Sequence, residues 1–141
     1  MNARTKTQED LFHTVAMHLL AQGKPAMDDD NCCYRADDGS MCAIGCLVAD
    51  EHYSRDLEGA TICVAGAGIE AAVVASIGRP LAPSEFQMLA SLQEVHDDFI
   101  TGPQAWPERL HLCATEYGLA VRPELKAAMA AYVPANAMAC A

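Results

Sequence analysis

The sequence predicts a mainly α (α+β) fold: five or six short helices with one small β-hairpin near residues 32–43. Three observations predict it. Of the 141 residues, 52% are hydrophobic and 20% charged, which suits one domain with a buried core and rules out a wholly disordered chain. Apolar residues recur at spacings of three and four in several stretches that open on cap residues and close on Gly or Pro. Around Asp37-Asp38-Gly39, two short runs face each other across a turn. We expect a single α-rich domain over residues 1–134 and a flexible tail at 135–141.

The elements follow in order. Thr7 and Asp10 make a capping-box pair for the clearest helix, residues 7–22, where Leu11, Phe12, Val15, Ala16, Leu19 and Leu20 share a face. Gly23 stops it and Pro25 follows, while His13 and His18 fall toward its polar, solvated side. Asp28-Asp29-Asp30-Asn31 reads as a solvated acidic loop, because the alternating ligands and closing Glu of an EF-hand are missing. In the hairpin Gly39 supplies positive φ, and two registers are open. A two-residue loop pairs Arg35 with Cys42; a three-residue loop pairs Tyr34 with Cys42 and brings Cys32 to the face of Cys42. A short helix near Ile44 turns Leu47 and Val48 inward, and Ile69, Ala72, Val73 and Ile77 mark a helix over 68–78. Ser84 with Gln87 reads as the capping box of the next helix, with Phe86, Leu89, Leu92, Val95, His96 and Phe99 inward. Trp106-Pro107 opens a helix carrying Leu110, Cys113, Ala114 and Tyr117, stopped by Gly118, and a last one spans 123–132.

Nine Lys+Arg against nineteen Asp+Glu leave a net charge of −10, which argues against a direct grip on nucleic acid. No apolar run approaches the ~20 residues of a membrane span, and the polar first ten residues resemble no signal peptide. The expected location is therefore the cytoplasm. Seven cysteines, an odd number without an export signal, read as reduced thiols that mostly fill core. Cys42 and Cys46, with Cys33 or Cys32 from the hairpin and His52, could assemble soft ligands for zinc, but no Cys-x-x-Cys knuckle is present, so no metal and no cofactor is expected. Cys46 near a helix start, followed by His96 and Asp97, gives the order of a thiol hydrolase or transferase. Residues 64–71 contain the Gly-x-Gly-x-x-Ala form of a dinucleotide fingerprint, yet the helices that follow do not make the alternating array such a site needs. Arg35 and Arg79 would have to converge for a small nucleotide to bind. Asp28, Asp29, Asp30, Asp37, Asp38, Asp50 and Glu51 form the acidic loops expected to dock on a basic partner surface.

Cys33-Tyr34-Arg35-x-x-Asp38-Gly39-x-x-Cys42-Ala43-x-Gly45-Cys46-Leu47, then Asp50-Glu51-x-Tyr53 and Leu57-Glu58-Gly59, resemble a family of small proteins encoded by phages, prophages and bacteria. Leu92-Gln93-x-Val95-His96-Asp97, Trp106, Leu110, Ala114 and Tyr117-Gly118-Leu119 continue the resemblance, which covers roughly residues 8–121. Relatives carry Pro where this chain has Ala49, and Cys32 stands outside the pattern. The family has no settled activity, so the resemblance assigns no catalytic residue. It implies an origin in accessory genes of mobile elements, which often encode small acidic inhibitors of host or defence machinery. The expected function is stoichiometric binding that inhibits or modulates such a protein. The alternative is an enzyme centred on Cys46 and His96.

Overall fold

Helix α1 (Gln8–Gln22) lies at the centre of the fold, which a computed structural model describes for residues 7–28, 31–58 and 68–135. Its start is closed reciprocally: the Asp10 amide donates to Thr7 Oγ1 at 3.1 Å, and the Thr7 amide donates to Asp10 Oδ2 at 2.8 Å. The shorter acid thus serves where Glu is usual. Gly23, at φ 69°, ends the helix by donating its amide to the Leu19 carbonyl. All six expected apolar residues of α1 are buried.

Four more helices follow it: α2 (Gly68–Ile77), α3 (Pro83–Asp97), α4 (Trp106–Glu116) and α5 (Pro123–Ala131). α1 packs on α3, α4 and α5, so its buried stripe meets Met88, Leu89 and Leu92, then Trp106 and Leu110, then Leu125 in one core. Arg122, just before α5, fixes that helix to the start of α1 through Glu9 at 2.8 Å and Asp10 at 2.6 Å. The guanidinium holds the Asp10 carboxyl down at about 2.

The two-stranded sheet pairs β1 (Met27–Asp28) with β2 (Asn31–Cys32), antiparallel, with Met27 opposite Cys32. The regular pair therefore lies at the front edge of the expected hairpin, and residues 33–43 keep a single bridge, Arg35 to Met41. The Cys42 amide donates to the Tyr34 carbonyl at 3.1 Å, which is the three-residue-loop register. The ladder does not extend because its donors are bound elsewhere. Cys33 donates its amide to Ala26, while Tyr34 and Arg35 donate theirs to the Glu58 carboxylate. Behind this loop, short 3₁₀ turns at Gly45–Leu47 and Asp50–His52 rest on α2. Gly45 is required there: a Cβ would lie 2.0 Å from the Tyr34 carbonyl oxygen.

Three expectations need correction. α3 begins at Pro83, not at a Ser84 cap, because Pro suits the first helical position, where its missing N–H costs nothing. Glu85, not Gln87, reaches back to accept the Ala82 amide at 2.8 Å. Phe99 is 58% exposed: α3 stops at Asp97, and the Asp98 carboxylate accepts the Ile100 and Thr101 amides, turning Phe99 and Ile100 outward. His18 is not solvated but half-buried against residue 41. Asp29, Asp30, positions 64–67 of the glycine-containing stretch and the expected tail beyond Ala135 lie outside the described residues.

Candidate functional site

The distinctive residues of the two sequence motifs meet where the segment 26–46 crosses the end of α3. Gln93, His96 and Asp97 stand one turn apart or adjacent on that helix, so all three can reach the same strip of loop backbone. His96 Nε2 accepts the Ala26 amide at 2.8 Å. Its proton must then sit on Nδ1, which donates to Asp97 Oδ1 at 2.7 Å. The imidazole is 1% exposed and stacks on the Trp106 ring, with centroids 6.1 Å apart and planes 25° off parallel. Trp106 in turn donates its indole N–H to the Val95 carbonyl at 3.0 Å. Gln93 bridges the same carboxylate to the loop, donating to Asp97 at 2.9 Å and accepting the Ile44 amide at 3.2 Å.

α1 grips the loop from its other side. His18 Nε2 donates to the Met41 carbonyl at 2.8 Å, and Gln22 both donates to that carbonyl and accepts the Met41 amide. Burial pushes the His18 pKa down, so the neutral ring is the favoured form in the fold. Beyond the loop, Glu58 collects the Tyr34 and Arg35 amides and the Tyr53 hydroxyl. Arg35 lies over the Tyr53 ring at 4.6 Å and pairs with Asp50 at 2.7 Å. Tyr34, Arg35, Asp50, Tyr53 and Glu58 are all motif residues, and their atoms bind one another.

Cys32 completes a cluster with His96 and Asp97, whose potential ligand atoms lie within 4.8 Å of one another. The geometry does not activate it. Burial, then the negative Asp97, pushes the Cys32 thiol up to about 12, so it stays protonated at neutral pH. His96 cannot take its proton, because Nε2 already holds the Ala26 amide and Nδ1 carries a hydrogen. A metal ion fits no better, since a neutral imidazole binding through Nδ1 needs its hydrogen on Nε2, where an amide donor points.

The other sequence-predicted residues are placed as follows. Cys46 donates its thiol to the Ala43 carbonyl at 3.1 Å and is not a member of the Cys32–His96–Asp97 cluster. Cys42 is buried, and burial drives its thiol far above the ordinary range. Cys33 lies 3.6 Å from Asp28, and His52 lies beside Glu51 at 3.8 Å. Among the described residues, Cys33, Cys42, Cys46 and His52 do not gather at metal-ligating distances. Of the acidic loop residues, Asp37 pairs with Arg55, Asp38 with Lys24 and Asp50 with Arg35, each at 2.7–2.8 Å. Asp28 accepts the Asp37 amide at 3.0 Å, and Glu51 is exposed. Arg79 pairs with Glu85, Arg109 with Asp98 and Arg122 with Glu9 and Asp10. Glu94, Glu108, Glu116 and Glu124, which the sequence reading passed over, pair with no cation among the described residues. Their helical spacing was the signal available.

No family model matches the chain, and no curated protein or solved structure matches it.

Proposed function

We propose that this protein works by stoichiometric binding to a partner that presents a basic surface, inhibiting or modulating it, and not by turnover. One observation carries the reading: of the seven described Lys and Arg residues, Lys24, Arg35, Arg55, Arg79, Arg109 and Arg122 are engaged with carboxylates of the same chain, and Lys126 alone pairs with none among the described residues. What an approaching protein meets is the remaining negative charge, part of a net −10, beside the exposed Phe99, Ile100 and Leu112. The protonated Cys32 thiol and the doubly occupied His96 support binding over thiol chemistry. The resemblance to phage and prophage accessory proteins supports a host or defence-system protein as the partner.

The test is the association rate of a partner captured from bacterial host lysate, purified, and measured with the wild type and Cys46→Ser. Raising ionic strength from about 0.05 to 0.3 M should slow association severalfold, because the Debye length contracts. Cys46→Ser should bind within about twofold of wild type, a change too small to be a lost anchor. A salt-independent rate, or loss of activity in folded Cys46→Ser, would overturn the proposal in favour of the thiol enzyme.

A further inference from the structure

α3 and α4 run side by side, joined by a short connection, and each offers one row of residues to a shared groove. From α3 and its cap come Ser91, Glu94, Val95 and Asp98; from α4 come Arg109, Leu112, Cys113 and Glu116. Both rows follow the i, i+3, i+4, i+7 spacing that lines one face of a helix. The main groove holds about 360 Å³ and continues past Glu94 and Arg109 into a cleft of about 270 Å³. Val95 and Cys113 lie nearly buried at its floor, so the apolar surface a ligand can reach there comes from Leu112, between walls that are mainly polar. Polar contacts bound it at both ends. Arg109 pairs with Asp98 at 2.8 Å, and Ser91 meets the Tyr117 hydroxyl at 3.2 Å.

The carboxylates of Glu94 and Glu116, which pair with no cation among the described residues, flank this floor, and Arg109, the one basic residue among the described lining, is already engaged by Asp98. Leu112, 60% exposed, stands on the rim, and Phe99 and Ile100 project from the turn beside Asp98. These exposed apolar side chains, beside two carboxylates that pair with no cation among the described residues, complement one kind of ligand: a helix with an apolar face bordered by Lys or Arg. A second copy of this chain does not match, because its net charge of −10 repels itself. Nucleic acid does not match either, because its phosphates would face Glu94 and Glu116.

We propose that the α3–α4 groove is the docking site for a basic amphipathic helix of the partner protein. Leu112, Phe99 and Ile100 cover its apolar face, and Glu94 and Glu116 take its cations. This rests on the binding reading above and locates it away from the acidic loops around Asp28, Asp37 and Asp50.

The probe is a fluorescein-labelled Leu/Lys amphipathic peptide of about 18 residues, roughly five helical turns, with a scrambled isomer as control. Anisotropy is read with the full chain. The wild type should bind the peptide at one site and the isomer at least about tenfold more weakly, since scrambling removes the apolar face. Ile100→Ser with Leu112→Ser should weaken binding about tenfold, as loss of two rim contacts does at a small interface. Glu94→Gln with Glu116→Gln should weaken it severalfold and flatten its salt dependence, whereas Asp56→Asn with Glu124→Gln, exposed acids away from the groove, should leave it unchanged. If Leu112→Ser disturbs folding, Ile100→Ser alone in the Glu94→Gln background tests the same surface. Equal weakening by the Asp56/Glu124 control, unchanged binding in the groove variants, or a dimer of this chain broken by Leu112→Ser would each overturn the groove. If the groove variants leave a one-to-one complex with the native partner intact, this inference falls and the binding reading stands. If no one-to-one complex forms at all, the binding reading itself falls.

Discussion

His96 shows how one side chain decides between chemistry and architecture. A histidine beside a carboxylate and a cysteine resembles catalytic machinery, yet the outcome depends on which ring nitrogen is free. Here neither is. Replacing His96 with Phe keeps the stacking on Trp106 but leaves the buried Ala26 amide without an acceptor, which should lower unfolding free energy by about 1–3 kcal/mol. Urea denaturation measures this, and a loss below experimental error would show that the clasp is incidental. The thiols make a second residue-scale prediction. Burial raises Cys32 to about 12 and Cys113 to about 11, so both should resist iodoacetamide in the native protein at pH 8, as should the buried Cys42. Peptide mapping after alkylation checks it, and fast modification of Cys32 would mean that an activated thiolate forms there after all.

At the scale of the element, the segment 26–46 is held between α1 and α3 by polar contacts, and its stability should follow their titration. The His18 pKa is lowered in the fold, mainly by burial, from an ordinary 6.5. The unfolded chain therefore takes up the proton first as pH falls. The stabilisation is complete above about 6.5 and is lost as pH drops from there toward the folded value. Amide protection factors in residues 33–46, which correct for the slower intrinsic exchange at lower pH, should fall between pH 7.5 and 5.5, and His18→Gln should remove that fall. Gly45→Ala should destabilise or prevent the same turn, since its methyl would enter the Tyr34 carbonyl. A thermal midpoint within about 2 °C of wild type, a shift of only a fraction of a kcal/mol, would contradict this. What could be read from sequence divides along the same line. α1 was legible because Thr7, Asp10 and Gly23 act locally, within one turn of the backbone they cap. The hairpin's extent was not, because its amides are claimed by Ala26 and Glu58, which lie outside it. His96 with Asp97 was legible as a pair, but its cysteine neighbour depended on a one-residue register that those distant groups decide. Hence Cys32, and not Cys46, joins the cluster.

For the whole molecule, the arrangement separates two uses of polar residues. Those of the cysteine segment and of Gln93, His96 and Asp97 hold a loop that is short of regular secondary structure against a helical core. Of the acidic residues that pair with no cation among the described residues, Glu94 and Glu116 sit on helix faces where they can meet a partner. Charge left unpaired on the surface favours fast encounter with a basic protein and gives no reason for turnover. The most direct measurement is therefore the molar ratio at which the protein acts on its purified partner. The account predicts an effect that grows linearly with added protein and stops at one chain per partner molecule. A full effect at about one chain per hundred partners, which only repeated turnover can produce, would contradict it.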